Sequence, residues 1–474
     1  MSAELFQTLR EQMPEGRVVI PGDQGYEEAL ERWSATMVKP AAAVAFPKTP
    51  EDVSAIVKFA TANGIAFNVK GGGHSTAPVS AAPSPDGMVL DLALMRNVSV
   101  DAENKTVTFE GGCLWRDVDD ALWEHGLATP GGTVSHTGVG GLILHGGYGV
   151  LSGRYGLAVD QVLALEVVLA DGRIVTASAT ENADLFWAMR GAGSSFGVVT
   201  KFTSRAHPQG NIWGGQIIFA PDKLPQLVDM MNKTHAANDN NVTFLLFFAH
   251  APPMGPPGTP RPPAVIAFVT HVGPDAPTKG PEFFADMLRL ECILSMADVI
   301  PYPAINKTGD ELLPHGRRYL LGGASFSLPL SQSTAAALSE RAWGFARENP
   351  GAGLENSFVA FEMYHTAKIC ETPQAATAFN GRGDHCNIMM TWSWDDEKLD
   401  NVVREKSRSL QKEMREMAYR GSGGEEGARS YLNYSVSDLK TASEAFGSNL
   451  DRLKQIKDTY DPNNVFDKFW RMKV

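Results

Sequence analysis

Two glycine-rich stretches stand out in the first third of the chain: Lys70-Gly71-Gly72-Gly73-His74-Ser75 and Gly131-Gly132-Thr133-Val134-Ser135-His136-Thr137-Gly138-Val139-Gly140-Gly141-Leu142-Ile143-Leu144-His145-Gly146-Gly147-Tyr148-Gly149. The second has eight glycines in nineteen residues, more than a loop needs for packing alone. Glycine adopts backbone conformations that cost other residues free energy, and it lets other groups approach the backbone closely. Exposed N–H groups in such loops hold anionic oxygens without cationic side chains. Together the loops indicate a pyrophosphate-bearing cofactor; the alternative is that the glycines only allow tight packing around a partly buried His74.

Local signals place the first loop after a helix and a strand. Thr49 is a predicted N-cap, Pro50 takes the first helical position, and Asn63-Gly64 ends the helix. A strand over residues 65–69 then leads into the loop. Other strands are predicted over residues 87–92, 105–110, 163–170, 173–177 and 198–202, with helices over 114–125 and 183–190. Residues 1–207 are therefore predicted to form one α+β unit.

In the second half of the chain, long predicted strands alternate with helices. This pattern predicts a second α+β domain over residues 208–425. Its predicted strands cover residues 215–219, 242–250, 264–272, 357–365 and 387–394, and its predicted helices cover 225–235, 331–347 and 396–417. Residues 252–263 are so rich in proline and glycine that we expect an irregular loop. A length of 474 residues also exceeds what one core usually holds. The pattern alone does not decide which of the two domains includes the last segment, residues 426–474.

Composition excludes several classes of protein. Hydrophobic residues make up 43%, charged residues 20% and aromatic residues 9%, a balance typical of a globular protein rather than a disordered or fibrous one. The 42 basic and 54 acidic residues give a net charge of -12. This acidic balance gives no electrostatic reason to expect nucleic acid or an anionic membrane as a partner.

Cysteine usage and the N-terminal segment favour a reducing compartment. The four cysteines show no C-x-x-C spacing and do not form a disulfide framework. The first residues lack the unbroken apolar run of a secretion signal, and the apolar runs elsewhere are far shorter than the roughly 20 residues of a membrane span. We therefore expect a cytoplasmic protein.

Three other motifs are weak. Ser195 sits in a G-x-S-x-G sequence, but a helix is predicted before it and a strand after it, the reverse of a nucleophile elbow. The same order argues against Gly191-Ala192-Gly193 as a dinucleotide fingerprint. His136 and His145 lack a nearby carboxylate or cysteine set, so we predict no metal site.

Further motifs accompany the two glycine-rich stretches: Arg154-Tyr155-Gly156-Leu157, Asp184-Leu185-Phe186-Trp187-Ala188, Arg190-Gly191, Phe196-Gly197-Val198-Val199-Thr200, Tyr431-Leu432-Asn433-Tyr434, Asn449, Arg452-Leu453, Lys457 and Tyr460-Asp461-Pro462-Asn463-Asn464-Val465-Phe466. With these motifs the chain resembles the FAD-linked oxidases of the berberine bridge enzyme-like group. The resemblance covers both ends of the chain and is weak only over about residues 210–425.

The resemblance implies an α+β, vanillyl-alcohol-oxidase-like flavoprotein of two domains. Residues 1–207 would form the PCMH-type FAD-binding domain, to which residues 426–474 would return. Residues 208–425 would form a substrate domain whose antiparallel sheet, covered by helices, roofs the isoalloxazine.

The resemblance also implies how FAD is held. His74 occupies the place of the histidine that bonds to the flavin C8α methyl, and a neutral imidazole nitrogen can act as the nucleophile. Many relatives add a cysteinyl bond, but Val134 stands at that position, so we predict one covalent bond, as in members of the 6-hydroxynicotine oxidase type. Thr137 stands where the group controls oxygen approach to the flavin. The implied cofactor-binding residues are Lys70, Gly71, Gly72, Gly73, His74, Ser75, Val134, Thr137, Gly138, Gly140, Gly141, Gly146, Gly147, Tyr148, Gly149, Gly197, Val198, Val199 and Asn433.

Two catalytic residues follow from the same resemblance. Tyr434 matches the tyrosine of an Asn-Tyr motif, and its pKa, ordinarily near 10, would need lowering if it acted as a base. Glu362 falls where certain carbohydrate oxidases of the group place an acidic partner for that tyrosine. Strand alternation puts it on one face with Phe358, Ala360 and Tyr364, facing either solvent or a site. Some plant members carry a base at the position of Met389, which cannot act as one.

The resulting hypothesis is an FAD-dependent oxidase that removes a hydride from a small, mostly apolar alcohol, amine or secondary metabolite. Oxygen would reoxidise the flavin and form H2O2. The apolar preference rests on Phe358, Met389, Met390 and Trp392, which core packing explains equally well. The alternatives are a carbohydrate oxidase, a flavoprotein scaffold for a non-oxidative cyclisation, and a binding protein that has lost its flavin.

Overall fold

The computed structural model describes residues 3–253, 256, 259, 261–419, 431–435, 441–468 and 472. Strands of the first half are β1 Arg17–Val19, β2 Ala43–Phe46, β3 Phe67–Lys70, β4 Met88–Asp91, β5 Val98–Asp101, β6 Thr106–Glu110, β7 Leu127–Ala128, β8 Val162–Val168, β9 Ile174–Ser178, β10 Val198–Arg205 and β11 His207–Pro208. Helices of this half are α1 Ala3–Gln12, α2 Tyr26–Leu30, α3 Pro50–Ala62, α4 Trp115–Trp123, α5 Val139–Ile143, α6 Ser152–Tyr155, α7 Ala158–Gln161 and α8 Ala183–Ala192.

These strands form two main sheets. The first has the order β1-β2-β4-β3, with parallel pairing of β4 to both β2 and β3. The second has the order β5-β6-β10-β8-β9 and is antiparallel throughout. Helix α3 begins as predicted: the Thr49 side chain accepts from the Asp52 N–H, and the Asp52 carboxylate accepts from the Thr49 N–H. It packs beside β4, β8 and β10, so it contacts both sheets.

The two glycine-rich stretches touch each other. A Cβ added at Gly72 would collide with the backbone of Gly138, and one added at Gly138 would collide with the backbone of Gly72. Only a pair of glycines permits this approach. Gly138 also pairs with Leu114 in an isolated bridge, which ties the contact to the start of α4. The loop that follows β3 and the loop that precedes α5 therefore meet at one place.

The second half contains a large antiparallel sheet with the order β15-β12-β14-β13-β18-β19-β17, and β16 also pairs with β12. Its strands are β12 Ile212–Phe219, β13 Val242–His250, β14 Pro263–His271, β15 Leu294–Ser295, β16 Asp298–Ile300, β17 Arg318–Phe326, β18 Phe358–Tyr364 and β19 Cys386–Trp394. Its helices are α9 Leu224–Ala237, α10 Ala276–Phe283, α11 Ala285–Leu288, α12 Tyr302–Ile305, α13 Gln332–Glu348, α14 Ala367–Glu371 and α15 Asp400–Ala418.

One face of this sheet carries the largest apolar core. Phe244, Phe361 and Trp392 point from neighbouring strands into a cluster that includes Leu338 of α13 and Leu410 of α15. Strand alternation turns the other face toward the first half of the chain. The antiparallel sheet covered by helices is thus confirmed, with β17 as a strand that the sequence patterns did not predict.

The C-terminal helices are α16 Leu432–Ser435, α17 Ala442–Phe446 and α18 Leu450–Tyr460. Helices α17 and α18 pack on the first half, whereas α16 also contacts β17 of the large sheet. Phe446 and Leu453 belong to the same buried cluster as Phe109 and Phe202 of the five-stranded sheet, and Phe466 packs in the core of the four-stranded sheet.

A fully buried lysine fixes this segment. The Lys457 ammonium donates to the Asp461 carboxylate at 2.6 Å, to the Ser195 carbonyl at 2.5 Å and to the Phe466 carbonyl at 3.0 Å. Neither Lys457 nor Asp461 is exposed to solvent. Asp461 also accepts from the N–H groups of Val465 and Phe466, so the buried charges are paired and hydrogen-bonded.

All the predicted helices and strands are present in the described chain. The bounds of the domains stay a prediction. The boundary at residues 425 and 426 lies outside the described residues, as does part of the loop predicted over 252–263. In the described part of the chain, no helix combines the length and the apolar character that crossing a bilayer requires.

The Lys457→Met substitution should destabilise the protein by about 3–5 kcal/mol, because it leaves the Asp461 carboxylate buried without its cation. Urea unfolding monitored by circular dichroism measures the change. The control is Lys454→Met on the exposed side of the same helix, which should change stability by less than about 0.5 kcal/mol. Equal stabilities for the two variants would contradict a structural role for the buried pair.

Candidate active site

A cavity lies between the two glycine-rich loops and the large sheet. Most of the predicted cofactor-binding residues line it, and so does one predicted catalytic residue. Its lining includes Lys70, Gly71, Gly72, Gly73, His74, Ser75, Val134, Thr137, Gly138, Gly140, Gly141, Tyr148, Gly197, Val198, Val199, Asn433 and Tyr434. The structure thus brings together residues from four separate parts of the sequence.

Three predicted glycines lie outside the lining and have packing roles instead. Gly146 faces the ring of Phe379, where a Cβ would not fit, and Gly149 faces the carbonyl of Gly131 in the same way. The N–H of Gly147 donates to the Tyr431 hydroxyl at 2.9 Å. These glycines shape the loop behind the cavity.

One end of the cavity is suited to an anion. Arg32 lines it and is 6% exposed. Its Nη1 donates to the carbonyls of Leu30 and Glu31, whereas its Nε has no hydrogen-bond partner among the described residues. Burial lowers the pKa of Arg32, and the nearby Asp91 carboxylate acts against this effect. A buried guanidinium with an unused donor beside a glycine cradle fits the pyrophosphate of FAD.

His74 is held by aromatic and imidazole neighbours. Its ring stacks on Trp33 at 4.7 Å between centroids, and its Nε2 lies 2.6 Å from Nδ1 of His136. The ring of His315 lies 6.0 Å from that of His74. Burial, then the nearby His136 and His315, holds the pKa of His74 well below its usual value. The imidazole is therefore neutral, as a nucleophilic nitrogen must be.

Three histidines lie close enough together to be considered as a metal site. Ligand nitrogens of His74, His136 and His315 come within 4.8 Å of one another. However, the close pair of nitrogens is a hydrogen bond, because two ligands about 2.0–2.1 Å from one tetrahedral ion would stand farther apart than 2.6 Å. The prediction that the protein has no metal stays a prediction.

The two predicted catalytic residues meet at the other end of the cavity. The Tyr434 hydroxyl lies 3.1 and 3.2 Å from the two carboxylate oxygens of Glu362. Glu362 is 1% exposed and sits in the sheet between Leu245 of β13 and Asn387 of β19. It does not line the cavity itself, so Tyr434 connects its carboxylate to the cavity.

Burial changes the acidity of both groups. It raises the pKa of Glu362 to about 8, and the hydrogen bond from Tyr434 acts in the opposite direction. Burial, reinforced by the charge of Glu362, also raises the pKa of Tyr434 well above its usual value. The structure thus offers no lowering of the tyrosine pKa, and the carboxyl is the group of the pair that ionises at the lower pH.

Three tyrosines surround this pair. Tyr431 packs edge-on against Tyr434 at 4.8 Å and against Tyr148 at 5.0 Å, and Tyr148 contacts Tyr364 at 5.7 Å. The Asn433 amide donates to the Tyr431 hydroxyl at 2.6 Å and to the Leu142 carbonyl at 3.1 Å. Asn433 therefore joins the C-terminal helix α16 to the second glycine-rich loop.

The sheet residues proposed to make the site apolar separate onto two faces. Met389 and Thr391 line the cavity together with Leu321. Met390 and Trp392 belong to the core on the opposite face, so they give no information on the substrate. Thr391 is 1% exposed, and its hydroxyl has no hydrogen-bond partner among the described residues.

The other sequence candidates have ordinary surroundings. Ser195 is buried after α8 and before β10, the order expected from the sequence, which does not build a nucleophile elbow. His145 lines the cavity; its Nδ1 lies 3.1 Å from the Gly141 carbonyl and its Nε2 3.0 Å from the Ser194 hydroxyl. Burial lowers the pKa of His145 to about 4.

Four residues in or beside this site were not predicted because none belongs to a motif: Arg32, Trp33, Asp310 and His315. Trp33 reaches the site because its indole N–H donates to the Leu313 carbonyl at 2.9 Å, a contact across 280 residues of sequence. No local signal carries such information.

Comparisons with known proteins agree with this geometry. Residues 41–178 match the family described as FAD binding domain, and residues 430–468 match the family described as Berberine and berberine like. FAD-linked oxidoreductase pgmH of Aspergillus terreus is 33% identical over 486 residues, covering 99% of this chain and 96% of that protein. FAD-linked oxidoreductase hasG of Aspergillus fumigatus is 32% identical, covering 94% and 95%.

Solved structures share the fold at lower identity. 6-Hydroxy-D-nicotine oxidase from Arthrobacter nicotinovorans superposes with a TM-score of 0.81 at 24% identity, covering 97% of this chain and 98% of that one. BBE-like 1 of Physcomitrella patens gives 0.82 at 24% identity, covering 99% of both chains. Two matched families, full-length relatives and a shared fold lead to one conclusion: the chain belongs to the FAD-linked oxidoreductases of the berberine bridge enzyme-like family.

Proposed function

We propose that this protein is an FAD-dependent oxidase that dehydrogenates a small, mostly apolar alcohol, amine or secondary metabolite, with oxygen as electron acceptor and H2O2 as by-product. The observation that carries the proposal is the hydrogen bond between Tyr434, at the cavity wall, and the buried carboxylate of Glu362. Such an oxidation needs a base that removes the O–H or N–H proton while a hydride leaves the neighbouring carbon. Bound FAD supplies the hydride acceptor at N5 and passes the electrons to oxygen.

In this proposal Tyr434 and Glu362 move the proton together. The substrate proton passes to the Tyr434 oxygen as the Tyr434 proton passes to Glu362. The raised pKa of the carboxyl, about 8, makes its ionised form a stronger base than an exposed carboxylate. Tyr434 therefore need not ionise on its own, which the raised pKa of its hydroxyl disfavours.

We assign cofactor binding, covalent attachment and oxygen approach to different residues of the cavity. We assign the pyrophosphate to the loop 70–75 with Arg32, and the covalent bond to His74. Val134 stands in place of a second linking residue, and Thr137 faces the cavity where oxygen would approach. The cavity-lining residues named above would hold the cofactor, with residues 1–207 and 426–474 as the flavin domain and 208–425 as the substrate domain.

Apolar side chains on the large sheet support an apolar substrate. Leu321 and Met389 line the cavity from β17 and β19, and Leu313 lines it from the loop before β17. Phe358 lies directly across from Thr391 in the sheet. A wide polar cleft, as a carbohydrate oxidase would need, is not what these side chains favour.

The variants Tyr434→Phe and Glu362→Gln should each slow flavin reduction about a hundredfold or more without changing flavin content. The double variant should be no slower than the slower single one, because both residues serve one proton transfer. Anaerobic stopped-flow absorbance, with a substrate found in a panel of benzylic alcohols, phenolic metabolites and secondary amines, measures the rate.

The matched control for that experiment is Tyr460→Phe, which removes a tyrosine hydroxyl bonded to Asp184 away from the cavity. Its reduction rate should equal that of the wild type. Wild-type rates in Tyr434→Phe would remove this residue from the mechanism, and turnover without flavin reduction or oxygen consumption would favour the cyclisation scaffold.

The pH dependence of flavin reduction should report Glu362. The ionised carboxylate is the active form and its pKa is about 8, so the rate should rise with pH and level off above pH 9. At pH 7 it should be about one-tenth of the plateau. The profile measured from pH 6 to 10 should lose this step in Glu362→Gln; a step that persists there belongs to another group.

Acid denaturation should leave flavin attached to the protein. Peptide mass mapping should place it on the His74 peptide alone, since Val134 cannot form a thioether. In His74→Ala all flavin should be released by acid, while the native variant still binds FAD through the glycine cradle. Complete release from the wild type would refute covalent attachment and leave the fold and cofactor unaffected.

A further inference from the structure

His74 is hydrogen-bonded to His136, and His136 lies beside the carboxylate of Asp310. Nε2 of His74 lies 2.6 Å from Nδ1 of His136, and the other nitrogen of His136, Nε2, lies 3.9 Å from the Asp310 carboxylate. Asp310 is anchored by Ser135, whose N–H and hydroxyl donate to its two oxygens at 3.1 and 2.5 Å. His74 and His136 come from the two glycine-rich loops, and Asp310 comes from the second half of the chain.

The Asp310 carboxylate favours one arrangement of the protons on the two imidazole rings. Nε2 of His136 is buried and has no hydrogen-bond partner among the described residues, so the anion of Asp310 is the group that favours a proton there. Nδ1 of the neutral His136 ring then has the lone pair and accepts from Nε2–H of His74. This leaves the lone pair of His74 on Nδ1.

The orientation of His74 is also fixed. The stacked indole of Trp33 holds the plane of the ring, and Trp33 is itself stacked on Tyr319 at 4.1 Å. The hydrogen bond to His136 fixes the rotation of the ring within that plane. Nδ1, which has no hydrogen-bond partner among the described residues, is the nitrogen left to bond with a ligand in the cavity that His74 lines.

We propose that His136, oriented by Asp310, is a positioning residue for covalent attachment of the flavin: it accepts the Nε2 proton of His74 as Nδ1 of His74 forms the bond. The inference rests on the covalent attachment proposed above. The arrangement follows the general pattern in which a third group orients the base that activates a nucleophile.

The step balances with oxygen as the oxidant. A bond forms between Nδ1 of His74 and the C8α carbon of the flavin, and one C–H bond of that methyl group breaks. The proton on Nε2 of His74 passes to Nδ1 of His136. The C8α proton leaves to solvent, and His136 passes the Nε2 proton to solvent and is unchanged. The two electrons pass through the flavin to O2, which takes up two protons from solvent and becomes H2O2.

The test measures attachment, not turnover. His136→Ala, Asp310→Asn and wild-type apoprotein, produced under riboflavin limitation, are mixed with FAD in air. Acid-stable flavin is followed over time, with total bound flavin measured in parallel. We expect attachment to be about a hundredfold slower in His136→Ala, slowed to a smaller extent in Asp310→Asn, and total binding unchanged in both.

Two controls separate a proton acceptor from a packing residue. His207→Gln removes an imidazole that stacks on Tyr155 outside the cavity lining, and this variant should attach flavin at the wild-type rate. Added imidazole should restore attachment in His136→Ala in a saturable way, whereas it should not help His74→Ala. A packing defect would not respond to imidazole.

Each outcome decides one question. A wild type without acid-stable flavin refutes covalent attachment itself, whereas a covalent wild type with a normal rate in His136→Ala overturns only the role of His136. Slow attachment that imidazole does not restore also overturns it. If His136→Ala binds no FAD, Asp310→Asn decides: a wild-type rate contradicts the proposal, and a slowed rate supports it.

Discussion

The contact between Gly72 and Gly138 is the constraint on which the site depends. Each glycine occupies the space that a Cβ of the other would need, so the loop after β3 and the loop before α5 can approach to backbone contact. This approach places His74 beside His136, although 62 residues separate them in sequence. It also leaves the N–H groups of two loops around one cavity, where an anionic cofactor can replace the side-chain contacts that the glycines lack.

The large sheet uses its two faces for different purposes. Helices α13 and α15 cover one face with an ordinary apolar core, and the other face closes the cavity. On that second face a carboxylate, Glu362, is tolerated without solvent because Tyr434 donates to it. The cost of burial appears as a raised pKa, and a carboxylate with such a pKa is the base in the proton transfer that we propose.

Sequence patterns predicted the elements whose signals are local. The capping residues of α3 and the apolar run of β13 are examples, and the bounds of β13 agree with the prediction to the residue. Strand β17 was missed because Gly322-Gly323 interrupts its pattern. A Cβ at Gly322 would crowd Ser407 and Gln411, which lie on α15 far along the chain.

The same distinction applies to the site. The glycine loops, His74 and Tyr434 were predictable because they belong to motifs, whereas Arg32 and Asp310 reach the site only through the fold. For Met390 and Trp392 the sequence left open an apolar site or core packing, and the structure supports core packing for a local reason. In a strand, neighbours of a cavity-facing residue such as Met389 must face the other way.

The buried ammonium of Lys457 has a consequence for how the protein is made. It bonds the carbonyl of Ser195 across 262 residues of sequence, so the two partners leave the ribosome at widely separated times. While translation continues, Ser195 and the loops around it lack the group that holds them, and the wall formed by Tyr431, Asn433 and Tyr434 has not yet been synthesised. Contacts of such long sequence separation form late and slowly. Cofactor loading is therefore expected to follow release of the finished chain, and the supply of flavin matters most at that moment.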